Sequence, residues 1–202
     1  MNLHAAASAG TAPDQTTPAF ASDAIAGLTH HPKQIPPKYF YDAAGSELFE
    51  QITRLPEYYP TRTELGILRE RAAEIAAILP KHAALVEFGA GAATKARLLL
   101  SACEFAAYVP VDISGDFLNA QARGLRKDFP HLQIHPVTAD FTAPFVLPDQ
   151  VRAMPKVGFF PGSTLGNFEP HEASRFLRGA CRILGEGAHM LIGVDLEKNE
   201  RV

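Results

Sequence analysis

From residue 84 onward, short apolar runs alternate with helical segments, and that alternation restricts the fold more than any other feature of the sequence. The runs fall at residues 84–88, 107–111, 134–138, 157–160 and 189–194. Each is too short for a core helix, and the apolar residues are largely consecutive, the pattern of strands covered on both faces. Helical spacing fills most of the gaps, at residues 94–103, 115–127 and 170–184. Strands joined by crossovers of this length lie parallel, since antiparallel neighbours need only a short turn. The sequence therefore predicts an α/β domain built on a doubly wound, mostly parallel sheet.

Ahead of the sheet, residues 1–23 are rich in Ala, Ser, Thr and Pro with little to bury, so a disordered tail is expected there. Residues 24–80 are expected to form a helical cap segment, with helical spacing at Leu48, Phe49 and Ile52 that closes near Pro56. Thr61 followed by Glu64 fits a capping box for a second helix, whose apolar face Leu65, Leu68, Ala72, Ile75 and Leu79 runs on to Pro80. Residues 81–202 are expected to hold the sheet domain. A chain of 202 residues with 47% hydrophobic content is long enough for one core and short for two. Its net charge of -3 offers no basic field to a nucleic acid, which leaves a small molecule as the expected partner. No apolar run approaches the ~18–20 residues of a membrane span, and residues 1–10 do not read as a secretion signal, so a cytoplasmic location is expected. Cys103 and Cys181 lie in apolar stretches and read as buried packing residues of a reduced protein.

Ligands of open parallel sheets bind at the carboxyl ends of the strands. The first run ends in Glu87-Phe88-Gly89-Ala90-Gly91-Ala92-Ala93-Thr94-Lys95, where two glycines allow a tight turn and a close backbone approach to a ligand. Thr94 stands where a dinucleotide fingerprint has its third glycine, and the acid Glu87 precedes the first. Both features disfavour a pyrophosphate and favour S-adenosylmethionine, whose amino-acid end is zwitterionic. The alternative reading is a simple strand-to-helix turn. The second run ends in Asp112, 21 residues beyond Gly91, where a carboxylate accepts from both hydroxyls of a ribose. The same position suits a helix N-cap, as does Ser114.

The third run ends in Asp140-Phe141: either an acid that accepts from an adenine amine beside an aromatic that covers its ring, or a solvated loop acid beside a core phenylalanine. The fourth opens into a polar loop, residues 161–168, in which Ser163 directly follows Gly162. That is not the spacing of a nucleophile elbow, which leaves a loop placed over a cofactor. His30, His31, His131 and His135 have no Cys or carboxylate to complete a ligand set, so no metal is expected.

Two longer strings are far more specific: Tyr39-Phe40-Tyr41-Asp42-Ala43-Ala44-Gly45-Ser46-Glu47-Leu48-Phe49, and Ile52-Thr53-Arg54-Leu55-Pro56-Glu57-Tyr58-Tyr59-Pro60-Thr61-Arg62-Thr63-Glu64. They closely resemble the histidine-specific methyltransferase family, the histidine Nα-methyltransferases of ergothioneine biosynthesis. Glu87-Phe88-Gly89-Ala90-Gly91 with Lys95, Val111-Asp112, Ala139-Asp140-Phe141 and Gly162-Ser163-Thr164-Leu165-Gly166-Asn167 agree in order, so the similarity runs from about residue 37 to residue 198. The resemblance implies a Rossmann-like methyltransferase domain with an N-terminal helical cap. It also implies methyl transfer from S-adenosylmethionine to the α-amine of an amino acid, in the best-known members histidine, giving N,N,N-trimethylhistidine. It sets Gly89, Lys95, Asp112, Asp140 and Phe141 around the cofactor. Around the amine and carboxylate of the substrate it sets Tyr41, Tyr58 and Asn167, with Tyr41 and Tyr58 the catalytic candidates and Tyr59 a one-residue alternative to Tyr58. Phe88 and Ala90 depart from the smaller or polar residues common in the family's loop, and neither removes a required group.

Family members continue past the point where this sequence stops. The resemblance therefore implies an incomplete fold, lacking the last strands of the sheet, a further substrate tyrosine and the part of the cap that chooses histidine. On that expectation a catalytically silent S-adenosylmethionine-binding or interaction fragment is the alternative function, and a monomer is expected of the complete protein. A nicotinamide-dependent dehydrogenase is disfavoured by the missing third glycine.

Overall fold

A computed structural model of the chain describes residues 18–40 and 43–197. Strand β1 (Ala84–Phe88) is buried at every position because it pairs in parallel with β2 (Ala107–Asp112) on one side and with β5 (Lys156–Phe160) on the other. Outside these lie β3 (Gln133–Ile134) and β4 (Val137–Thr138), both paired with β2, and β6 (His189–Ile192), paired with β5, all in parallel. The order β3-β2-β1-β5-β6 changes direction at β1. This is the doubly wound parallel sheet the sequence predicts. The expected strand at residues 134–138 is a single strand interrupted in its middle. Tyr108 pairs with Ile134 and Val111 with Val137 in one unbroken register, but Pro136 between them brings no N–H to the ladder.

Successive residues of each strand serve opposite faces. Leu85, Tyr108, Val157 and Phe159 pack with Leu99 of α5 (Thr94–Ala102) and with Ala122 and Leu125 of α6 (Gly115–Asp128). Val86, Phe88, Val109, Val111 and Phe160 pack instead with Phe176, Ala180 and Leu184 of α7 (Pro170–Leu184). Both faces are dry, which is why the strands read as continuous apolar runs. Cys181 is a correction to the sequence reading: it is exposed, one step round α7 from its buried stripe at Phe176, Ala180 and Leu184, and Cys103 is only half-buried.

The cap precedes the sheet as α1 (Pro18–Thr29), a 3-10 turn (Pro37–Phe40), α2 (Ala43–Ile52), α3 (Tyr59–Glu70) and α4 (Ala72–Ile78). Residues 18–23, expected in the tail, are helical, with Pro18 in the first position, where its missing N–H is not needed. Residues 1–17 lie outside the described part. The expected single helix from Thr61 to Leu79 starts earlier and breaks at Arg71 (φ −100°, ψ 5°), which closes α3 and opens α4. Tyr58 is the N-cap, Pro60 sits in the first turn, and Glu64 is freed from the capping role its spacing suggested. Among the described residues no helix is long and apolar enough to cross a membrane.

Gly158, in the middle of β5, tests how tightly the sheet and α7 are packed. A Cβ there would stand 2.7 Å from Leu184 Cδ1 and 3.3 Å from the Met190 sulfur. Gly158→Ala should therefore destabilise the chain by about 1–3 kcal/mol in urea unfolding, the usual cost of overpacking a filled core. An unchanged midpoint would show that the Leu184 and Met190 side chains give way without loss of packing.

Candidate functional site

Strand β1 must turn sharply where it leaves the core, and it does so through two residues in the left-handed region, Gly89 (φ 74°) and Gly91 (φ 48°). A Cβ at Gly89 would also lie 3.2 Å from the Phe141 ring, so this position needs both the freedom and the small volume of glycine. The amides of Gly89 and Ala90 donate to the Val111 carbonyl at 2.8 and 3.1 Å, fastening the loop to β2. Ala93 (φ 55°) is the left-handed N-cap of α5.

Asp112, the last residue of β2, accepts from the amide of Gly91 through Oδ2 at 3.0 Å and from the amide of Ser114 through Oδ1 at 3.0 Å. Each carboxylate oxygen keeps acceptor capacity beyond these bonds. The bond to Ser114 shows that Asp112 does support the turn into α6. The N-cap of α6 itself is Ser114, not Asp112, and the bond to Gly91 ties Asp112 equally to the glycine loop.

These turns open on a cleft of about 1360 Å³ at the point where the strand order changes direction. Gly89, Lys95, Asp112, Asp140 and Phe141 line it, and so do Tyr58 and Asn167. Every described residue predicted for the site thus faces a single cavity. Tyr41 lies outside the described residues. Asp140 is held in its own turn, accepting from the Thr142 amide at 2.9 Å and the Thr142 hydroxyl at 2.5 Å through Oδ1, while Oδ2 lies 3.6 Å from Lys38 Nζ. Phe141 borders the cleft and is also a core aromatic, meeting Phe160 and Phe176 edge-on at ring distances of 5.6 and 5.8 Å.

Tyr58 is half-buried, with its ring edge-on to Phe49 at 6.0 Å. Its neighbour Tyr59 points elsewhere, donating its hydroxyl hydrogen bond to Asp195 Oδ2, which distinguishes the two adjacent candidates. Asn167 is exposed at the end of a 3-10 turn (Thr164–Asn167) that follows the left-handed Ser163 (φ 57°).

Several residues on the cleft or just behind it escaped the sequence reading in these roles. Ile113 and Phe117 give the Asp112 end an apolar lining. The only signal for them was their place just after the acid. Glu64, read as half of a capping box, accepts from the Gly162 amide at 2.9 Å with both oxygens and lies 2.5 Å from Lys95 Nζ. Glu87 was noticed only as an acid before a glycine. It is 1% exposed at the cleft floor and accepts a hydrogen bond from the Tyr108 hydroxyl. Burial pushes its carboxyl up to about 8, against the opposing pull of the Tyr108 bond and of the Lys95 charge. Among the described residues no three His, Cys, Asp or Glu side chains gather as a metal site.

A cofactor with a ribose and a zwitterionic tail fits this arrangement better than a polyanion. Backbone approach is open at Gly89 and Gly91, an oriented carboxylate stands at Asp112, and the one cation of the loop, Lys95, is matched by acids. The open sheet, the glycine loop after β1 and the acid ending β2 together define a nucleotide-cofactor domain of the α/β class. Residues 20–202 match the model of a family described as histidine-specific methyltransferase, SAM-dependent, and the chain belongs to that family. It is 41% identical over 196 residues to a histidine N-alpha-methyltransferase of Mycolicibacterium smegmatis, covering 93% of this chain and 59% of that protein. A second relative, ergothioneine biosynthesis protein 1 of Neurospora crassa, is 34% identical over 81% of this chain and 19% of its own length. A third, 4-dimethylallyltryptophan N-methyltransferase of Claviceps purpurea, is 28% identical over 87% of this chain and 52% of its own length. The chain thus spans about three fifths of the Mycolicibacterium relative.

Glu87 gives the site a pH signature. A carboxyl raised in the fold from 4.5 to about 8 keeps its proton while the unfolded chain loses it. Its contribution to stability is therefore complete below about pH 4.5 and is lost as pH rises through about 8. Glu87→Gln removes this dependence, so between about pH 5 and about pH 8.5 the variant's unfolding free energy should gain on that of the unsubstituted chain by on the order of a few kcal/mol. Urea titrations across that range read the effect. Parallel pH profiles would show that Glu87 is already ionised in the fold.

Proposed function

We propose that this chain binds S-adenosylmethionine in the cleft and directs its methyl group onto the α-amine of an amino acid, histidine, which is carried to N,N,N-trimethylhistidine. The observation that carries this reading is the single cleft, in which Gly89, Lys95, Asp112 and Asp140 share the space with Tyr58 and Asn167. The relatives add a chemical limit. Their names give histidine for one and 4-dimethylallyltryptophan for another, substrates with the same amino-acid head and different side chains. Residues common to such enzymes should read the amine and carboxylate.

In this reading Asp112 accepts from the ribose hydroxyls with the capacity left by its two amide bonds, and Asp140 with Phe141 meets the adenine. Lys95 takes the carboxylate of the cofactor's amino-acid end. When bound, S-adenosylmethionine supplies a methyl carbon on a positively charged sulfur, a leaving group already activated. The chain's own task is then to hold a neutral amine with its lone pair in line, so positioning supplies most of the rate. The Tyr58 hydroxyl and the Asn167 amide oxygen accept N–H bonds from the amine, leaving the lone pair directed at the cofactor. The Asn167 amide nitrogen is suited to the substrate carboxylate. We further propose that the complete protein is a cytoplasmic monomer whose partners are small molecules.

Two sets of variants test it. Asp112→Ala should weaken S-adenosylmethionine binding by roughly 2–3 kcal/mol in titration calorimetry, the range for charge-assisted hydrogen bonds. An unchanged affinity in a folded variant would leave Asp112 as a structural residue only. Asn167→Ala and Tyr58→Phe should leave cofactor affinity within about twofold while histidine binding falls by roughly tenfold or more. Equal losses for both ligands would remove these residues from a substrate wall.

A further inference from the structure

Glu64 stands behind the cleft, and its contacts join its own helix to two separate parts of the chain. It belongs to α3 in the cap, yet its carboxylate meets the ammonium of Lys95 on α5 at 2.5 Å and the amide of Gly162, just after β5, at 2.9 Å. Lys95 lines the cleft and Glu64 does not. Both side chains are only 17% exposed, so the pair is largely shielded from the screening that makes surface pairs weak. The fit around the carboxylate is close: any Cβ at Gly193, which follows β6, would overlap it. Gly162 is itself left-handed (φ 85°), a conformation in which its amide turns toward Glu64.

The geometry points to Glu64 as a positioning residue for the cofactor site, a carboxylate that sets the Lys95 ammonium at the cleft wall and fixes the Gly162 turn. The inference rests on the proposed binding of S-adenosylmethionine for its ligand, but not for the bridge itself. A lysine has four rotatable bonds, and an unpaired one samples many positions before meeting a carboxylate. Glu64 removes that search. It also leaves negative charge behind the lysine, which suits an incoming group that carries an ammonium beside its carboxylate. Because the same carboxylate receives the Gly162 amide, the cap helix, the glycine-loop helix and the β5 loop that leads to Asn167 are coupled through one side chain.

The test uses the 202-residue chain with Glu64→Ala, Glu64→Gln, Lys95→Ala and the double variant Glu64→Ala/Lys95→Ala. Amide hydrogen exchange at Gly162 is read without ligand, and S-adenosylmethionine affinity by titration. Glu64→Ala should speed exchange at Gly162 by roughly tenfold or more and weaken the cofactor by roughly tenfold. Glu64→Gln keeps an acceptor and the side-chain volume, so it should retain exchange protection while losing cofactor affinity, and it carries the test if the alanine variant does not fold. The double variant should bind no worse than the weaker single variant, because the two residues act as one unit. Additive losses, or unchanged Gly162 exchange in folded Glu64→Ala, would overturn the bridge. An unsubstituted chain that fails to bind S-adenosylmethionine while Glu64→Ala still exposes Gly162 would overturn the proposed function and leave the bridge standing.

Discussion

Strand β1 has no wet face, and the site follows from how the chain leaves it. A strand buried at all five positions cannot bend gradually into solvent without exposing its ladder, so the exit has to be abrupt. Gly89 and Gly91 make it abrupt by adopting left-handed angles, and the Val111 carbonyl takes the two amides freed by the turn. That leaves the Gly91 amide directed at Asp112, which ends the neighbouring strand because parallel pairing brings Phe88 beside Val111. The glycine loop and the acid are thus aligned by register, and the change of strand order at β1 leaves room above them.

Charge in the cleft is arranged by burial as much as by pairing. Glu87 and Asp112 both stand at strand ends on the cleft, but Asp112 receives two amide bonds and Glu87 receives one hydroxyl bond in a drier place. Desolvation dominates for Glu87 and holds its proton to about pH 8. Near neutral pH the floor is therefore uncharged where the chain is most buried. Asp140 on the cleft and Glu64 behind it are each within reach of a lysine from another element. A site of mixed and largely matched charge favours a zwitterion and penalises a polyphosphate, since each added phosphate would meet acids instead of a basic field.

The parallel sheet was legible because both-face burial writes itself as continuous apolar runs, and α7 because its stripe of Phe176, Ala180 and Leu184 keeps a strict spacing. Asp112 and the two glycines were legible because strand ends are marked by the change of residue type. Glu64 was not. Its spacing from Thr61 matched a local capping pattern, but α3 begins two residues before Thr61 and the carboxylate is taken by Lys95 and by Gly162, 98 residues away. Sequence periodicity reports local hydrogen bonds well and long-range ones hardly at all. The break at Arg71 and the exposure of Cys181 were missed for a related reason: apolar spacing shows which stripe of a helix is greasy, but not where the axis bends or which flank meets the sheet.

The same limit applies to the two adjacent tyrosines, which sequence alone could not separate. Tyr58, the N-cap of α3, lines the cleft, whereas Tyr59, the first residue of the helix, does not. The two differ in a long-range contact. Tyr59 donates to Asp195, whose amide in turn donates to Ser163 Oγ at 2.9 Å, and Ser163 is the left-handed residue that opens the turn ending at Asn167. One chain of bonds therefore runs from the cap, through the segment after β6, to the loop after β5.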